Sequence, residues 1–530
     1  METYDAVVIG SGINGLVAAA ELGLAGWSVA VIERNQRIGG FIDSAERTRQ
    51  GFVHDTYSSW HPLFISSDAY RVLGESLRSY GLKYRNVDDG PLTGSIASNH
   101  ASIAYRSPER TADGFASPRN SVAYLAMLEQ MSNRAKTVFG ALGSELRSLR
   151  GAKLLPEALL SHGPAGVEML ARDAVTSGRS FLRSRFDGQE VDQLWAPWLL
   201  HAGLSPDSAS GGLMIPVLAL LLHSHGLPVV AGGADNFIAA FTGLLDELGV
   251  VVMTGRTAKS IRVAEGELTE VRTDADPVGA RRAVLASVTP QALYGTLLKG
   301  IPVPRQIRTD AARFRYGRAA MQIHVALDRP LKWADARFQD VPLVHLSDGS
   351  PSTGVACAQA DAGMLPAVPT VVVGRQHLLD PTRVPDGKGS LWLQLQEVPW
   401  RPEADAAGKI PVNGTWSPAT TTAYVDRVLD RIDAFAPGTK QNVLKTDAIT
   451  PVDLAKANPN AVNGDPYGGS TELDQSWLWR PLASAGNHAT VVPSVWHIGA
   501  STHPGAGLGG GSGHIVAQTL IASRQRRSLF

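Results

Sequence analysis

Apolar and polar positions change rhythm fastest in the first sixty residues. Ala6 to Ile9 is an unbroken apolar run, as a strand buried on both faces of a parallel sheet requires. Leu16 to Ala25 is rich in Ala and Leu and predicts a helix packed on that sheet. Ser28 to Ile32 predicts a second buried strand, ending at Glu33. The longest apolar run, LMIPVLALLL from Leu213 to Leu222, is too short to span a bilayer as a helix. It predicts a buried helix, with a tunnel wall or a shallow membrane contact as the alternatives. Towards the C-terminus, Ser512 to Ser523 predicts a helix with Ile515, Val516, Thr519 and Leu520 on one face.

Glycines punctuate this pattern where chemistry is expected. Gly10, Gly12 and Gly15 form G-x-G-x-x-G between the first strand and the helix, and Glu33 closes the second strand. Gly10 permits the tight turn, Gly12 admits a pyrophosphate to the backbone, and Gly15 lets helix and strand pack closely. The helix N-terminus, with Asn14 in its first turn, faces the phosphates. Glu33 accepts ribose hydroxyls and disfavours a 2′-phosphate there. Strand, glycines, helix and acid together give the full context of a dinucleotide site, equally suited to NAD or FAD. A second motif of this kind is not found, so a bound NAD(P)H co-substrate is not expected.

Composition narrows the class. The chain has 530 residues, 44% hydrophobic and 18% charged, which predicts a folded protein of two domains. Its 49 basic and 49 acidic side chains cancel, which argues against bulk electrostatic attraction to nucleic acid or to an anionic membrane. A single cysteine, Cys357, excludes an internal disulfide framework and Cys-based metal sites. His54, His61, His223 and His225 match no ligand spacing, so no metal is expected. The N-terminus METYDAVVIG has no basic n-region, and a cytoplasmic location is the default expectation.

Beyond Glu33, the segment RNQRIGGF places Gly39 and Gly40 beside Arg34, followed by GFVHDTYSSWHP from Gly51 to Pro62. GLPVVAGGADNFIAAFTGLLDELGVVVMTGRTAKSIRV, RRAVLASVTP, NPNAVNGDPYGGSTELDQSWLWRP and WHIGASTHPGAGLGGGSGHIVAQTLI extend the pattern to Ile521. Taken together, these segments resemble the phytoene desaturase-like FAD-dependent oxidoreductases of the amine oxidase superfamily, which include carotenoid desaturases and desaturase-type ketolases. The resemblance implies an α/β fold with a Rossmann-type FAD-binding domain from about 1–75, 226–300 and 485–530. An interleaved α+β substrate domain would come from 76–225 and 301–484. It further implies FAD contacts near Ala258 and along the glycine loop at Gly499, Ala500, Gly507, Leu508, Gly509 and Gly510. The stretch from Asp55 to His61 departs from the Asp-x-Gly-Pro-Thr of many carotenoid desaturases and is closer to the ketolase-type branch.

The expected reaction is hydride removal from a C–H bond of a hydrophobic substrate, a polyene or isoprenoid, with electrons passing to oxygen or a quinone. His61 is the first candidate for a base, followed by Asp55 and Tyr57. His503 is expected to shape the loop through hydrogen bonds, and Trp477, Trp479 and Arg480 are candidates for the cavity wall. Two alternatives stand beside this reading. One is a flavoenzyme for a smaller amine, alcohol or cyclic alkene; the other is a non-catalytic flavoprotein. A lipophilic substrate and the basic tail Arg524, Arg526 and Arg527 also raise peripheral membrane contact. Nothing in the sequence indicates an oligomeric state.

Overall fold

A computed structural model describes residues 1–263 and 269–528, with side chains through Arg524. Its first sheet gathers strands from distant parts of the chain. Glu2–Ile9 pairs in parallel with Val29–Ile32 on one side and Val278–Ser287 on the other. Val251–Met253 extends the sheet beyond Val29–Ile32, also in parallel. Val278–Ser287 carries a second pair of neighbours. Thr269–Thr273 lies antiparallel against its start, and Val495–Ile498 lies parallel against its end.

Side chains on alternate strand positions feed opposite faces of this sheet. Ala6, Val8, Val29, Val31, Ala283 and Leu285 pack with the helices Ile13–Leu24, Asp235–Glu247 and the C-terminal helix. Val7, Ile9, Ala30, Ile32, Val284 and Ala286 pack on the other face with Leu293, Tyr294 and Leu297. Burial on both faces explains why these strands read as unbroken apolar runs.

The second sheet has seven strands in the order Val443–Ile449, Ala319–Leu327, Gly389–Val398, Val371–Gly374, Leu343–Leu346, Pro91–Ile96 and Ala101–Tyr105. All of its pairings are antiparallel except that between Leu343–Leu346 and Pro91–Ile96. Helix Pro418–Asp433 covers one face through Tyr424, Val428 and Ile432. A helical layer built around Trp195, Leu199, Ile215 and Leu222 packs against Leu343, Val372 and Trp392.

The apolar run Leu213–Leu222 lies inside helix Gly211–His225 and is mostly buried in this layer, as expected. The predicted C-terminal helix spans Gly511–Ser528. Ile515, Val516 and Leu520 are buried there, but Thr519 is exposed and Ala517 takes its place inside. Among the described residues no helix is long and apolar enough to cross a membrane.

Candidate active site

The C-terminal ends of Glu2–Ile9 and Val278–Ser287 open onto a cavity of about 240 Å³. Strand order reverses beside the central strand, the position where open α/β sheets hold nucleotides. Gly12, Ile13 and Asn14 bring the N-terminus of the first helix to the cavity, and Gly40, Ser287 and Val288 adjoin them. The facing wall belongs to the second sheet, with Ala320, Met321 and Gln322 on one strand and Gln394 on the next. The rest is enclosed by residues 454–468 and the glycine loop, which contributes Ala500, Ser501, Ala506, Gly507 and Leu508.

The glycines differ in what their missing side chains leave room for. A Cβ on Gly15 would fall 2.0 Å from the Gly10 carbonyl oxygen, so this position holds helix against strand. Gly10 has φ +92° and faces Ser287. At Gly12 a Cβ would meet no protein atom within 4 Å. That open backbone beside a helix N-terminus fits an FAD pyrophosphate. Gly40 (φ +60°) lies against Gly12, and Gly39 donates its N–H to the Ser11 carbonyl.

Glu33 is buried at the edge of this turn. Its carboxylate accepts from the Ser11 N–H at 2.9 Å, the Ser11 hydroxyl at 2.6 Å and the Asn35 N–H at 2.8 Å. Arg34 lies outside the cavity and donates to the Lys456 carbonyl at 2.9 Å. Together with Asn35, which donates to the Ala457 carbonyl, it ties the end of the second strand to the segment that lines the cavity. Ala258 does not line the cavity; it is half-buried in a strand paired with Thr273.

The glycine loop closes the site from the far end of the chain. Gly499 (φ +105°) lies against Ser287, and its N–H donates to the Ser512 hydroxyl at 3.0 Å. The Ala500 carbonyl accepts two bonds from the fully buried Arg480 guanidinium, at 2.7 and 3.2 Å. Gly507 and Leu508 reach the cavity, whereas Gly509 packs near Leu63 and Gly510 on Val17. Gly513 donates to the Asn14 side chain at 3.2 Å, and a Cβ on it would fall 2.0 Å from the Asn14 carbonyl oxygen. The start of the C-terminal helix is thereby held against the N-terminus of the first helix, which itself lines the cavity through Ile13 and Asn14.

Of the three candidate catalytic groups, only Tyr57 lines the cavity, with its ring 4.9 Å from that of Phe41. Burial, reinforced by Asp43, raises its pKa and keeps its hydroxyl protonated. His61 and Asp55 are corrected to structural positions. The His61 ring is fully buried, edge-on to Phe237 at 5.3 Å, with Nδ1 3.1 Å from the Tyr84 hydroxyl. Burial, helped by Arg383, pushes its pKa down to about 3, so it stays neutral. Asp55 is ion-paired with Arg383 at 2.8 Å, accepts from the Ala234 N–H at 2.8 Å and also receives the Ser59 hydroxyl. Neither side chain lines the cavity.

His503 shapes the loop through hydrogen bonds, as expected. Its Nε2 donates to the Ala141 carbonyl, and its own carbonyl accepts from His488. Arg480 does not line the cavity but clamps the carbonyls of Tyr467, Ser470 and Ala500. Trp479 is 41% exposed, outside the wall. Sequence reasoning missed Gln322, Gln394, Asn458, Asn460 and Tyr467. The last three lie in the NPNAVNGDPYGG segment, which the resemblance marked as a whole without singling out these side chains. No Asp, Glu, Lys, Arg or His lines the cavity among the described residues.

The model of the family of flavin containing amine oxidoreductases matches residues 13–511. The chain belongs to that family. Its fold and cofactor follow: the FAD-binding fold of mixed helix and sheet, in an FAD-dependent oxidoreductase. The chain is 26% identical to pyridine nucleotide-disulfide oxidoreductase domain-containing protein 2 of Rattus norvegicus, covering 98% of this chain and 94% of that one. It is 22% identical to 4,4'-diapolycopen-4-al dehydrogenase of Metabacillus indicus, over 94% and 93% of the two chains. Among solved structures, a triple mutant of putrescine oxidase shares the fold with a TM-score of 0.62 at 17% identity, covering 99% of each chain.

Within this family the cradle at Gly12, Asn14, Glu33 and Gly40 would hold the dinucleotide part of FAD, and the loop from Ala500 to Leu508 the flavin part.

Proposed function

We propose that this enzyme oxidises a C–H bond of an uncharged, hydrophobic substrate of the polyene or isoprenoid class. The observation that carries the reading is the cavity wall, which is largely apolar and has no charged side chain. An ammonium group entering it would lose its hydration and find no carboxylate, at a cost of several kcal/mol. An apolar chain loses nothing there and gains by burial.

Bound FAD supplies the hydride acceptor, with oxygen or a quinone as the final electron acceptor. The chain's own residues bind, orient and exclude water. Phe41 and Tyr57 offer a tilted aromatic pair for a flat conjugated substrate. Ile42, Met321 and Leu454 supply apolar contact and keep water out. Tyr57, protonated, positions rather than deprotonates. The wall holds no carboxylate or imidazole to take a proton, which suits a substrate that releases its proton to water. The relative from Metabacillus indicus, named 4,4'-diapolycopen-4-al dehydrogenase, supports the same class. With Cys357 as the sole cysteine, the disulfide chemistry in the rat relative's name has no counterpart in a pair of cysteines on this chain.

A second reading rests on Gln322. Its Nε2 is buried without a hydrogen-bond partner on a residue that lines the cavity. A small neutral substrate bearing a hydroxyl or carbonyl would satisfy it.

Anaerobic bleaching of the yellow protein decides between the two. Polyenes and isoprenoids are expected to reduce the flavin, and amines are not. Bleaching by polar amines or alcohols alone would overturn the hydrophobic reading.

A further inference from the structure

Helix Leu149–Val175 is broken at Gly163 (φ 67°), where Pro164 opens its second part. In the first part Ala158 is buried and Leu154 turns towards helix Pro118–Leu142. The opposite side is also apolar. Leu149 is 87% exposed, Leu160 88%, Leu155 58% and Leu159 40%. At about 100° per residue, these four leucines share with Ala152 and Pro156 an arc of about 140°. The inward side already supplies the contacts this helix makes with the fold, so packing does not account for the outward one. Contiguous exposed leucines of this kind mark a docking face.

Charge lies beside that arc. The exposed Lys153 falls about 20° beyond its edge, the acid Glu157 about 60° and Arg150 about 80°, and Arg147 is exposed just before the helix. The nearby Glu145 is already paired with His488 at 2.6 Å. Three basic groups against one acid contrast with the zero net charge of the whole chain. Arg147 also connects the helix to a neighbouring loop. It donates to the Ala483 carbonyl at 3.1 Å, and Gly486 packs closely against both Arg147 and the Leu478 carbonyl. This loop carries Leu478, 44% exposed, and Trp479, 41% exposed.

We propose that the helical stretch 149–162, with Leu478 and Trp479, is a docking surface for an anionic lipid bilayer. Leucines on one side, cations beside them and an indole at the rim describe a helix lying in the plane of a membrane interface. A second copy of the chain fits less well, because lysine and glutamate are depleted from protein interface cores and this rim has one predominant sign. The docking surface adjoins the cavity loop, because His503 donates to the Ala141 carbonyl on the helix just before it. The assignment does not depend on which substrate is oxidised.

Sedimentation of the FAD-loaded protein with vesicles tests it. Binding is expected to phosphatidylcholine vesicles containing phosphatidylglycerol, more weakly to phosphatidylcholine alone, and less at high salt. The double variant Leu149→Ser/Leu160→Ser is expected to bind at least about tenfold more weakly. Arg150→Glu/Lys153→Glu is expected to lose the preference for the anionic lipid. Both change exposed positions and are expected to keep the wild-type flavin spectrum and melting temperature. No sedimentation with either vesicle, or equal sedimentation of wild type and the leucine variant, would overturn the proposal. So would a wild-type dimer in analytical ultracentrifugation that the leucine variant abolishes, since that assigns the face to a second copy.

Discussion

One wall of the cavity is made of backbone and the other of side chains. On the first, Gly12 and Gly40 present main chain at a helix N-terminus, and the chemistry needs only the absence of side chains. On the second, Met321, Gln322 and Gln394 project from two adjacent strands, and their identities define what fits. The backbone wall is suited to a cofactor's phosphates, and the side-chain wall to selecting by shape and polarity. A substitution on each wall is expected to fail differently.

The largest effect is expected within the backbone wall itself. Gly15→Ala places a Cβ 2.0 Å from the Gly10 carbonyl oxygen, and no rotamer relieves a clash with backbone. Loss of the folded protein, read by circular dichroism, is expected. Gly12→Ala meets no protein atom, so it is expected to fold normally yet purify without flavin absorption. A yellow Gly12→Ala protein would break the distinction.

Next in size is the residue that joins the walls. Asp55 holds Arg383, which follows the second sheet's Val371–Gly374 strand, and the Ala234 N–H at the start of a helix on the first sheet. Asp55→Asn removes one of the two carboxylates on Arg383 and leaves Asp380 at 3.3 Å, expected to cost about 1.5–3 kcal/mol in denaturant unfolding.

A smaller effect sharpens the side-chain wall. Gln322→Leu is expected to keep full flavin content and turn over an apolar substrate within about threefold of wild type. A loss beyond that would point to a hydrogen-bonding substrate.

A further effect lies in the shape of a pH profile. Glu397 ends one of the wall strands, fully buried, and burial raises its pKa from 4.5 to about 7 despite N–H donors from Thr370 and Gln396. The folded state therefore holds this proton more tightly than the unfolded chain. Its contribution is fully present below pH 4.5 and lost as pH rises through about 7. Subtracting the Glu397→Gln stability curve from that of wild type is expected to isolate this slope.

The contrast between the walls also explains what could be read from the chain alone. Gly10, Gly12, Gly15 and Glu33 lie within one local unit, and their spacing carries their meaning. Gln322 sits in AAMQIHVAL, a strand buried at all nine positions, so no alternation marks which side chain faces a cavity. Its neighbour Gln394 is 72 residues away in sequence. His61 was misread for a related reason. A histidine beside proline looks available for chemistry, and only the packing of Phe237, from a helix 176 residues later, shows it sealed. Arg480 was placed near the site correctly but given the wrong task, because a clamp on carbonyls leaves no pattern in sequence.

The bond between Gly513 and Asn14 joins positions 499 residues apart. During synthesis, the first helix leaves the ribosome long before the loop that closes over it exists. The cradle cannot shut until residue 513 has emerged, so the completed flavin pocket needs both distant segments at once. A nascent chain stalled before that point would carry the dinucleotide half of the site and none of its lid.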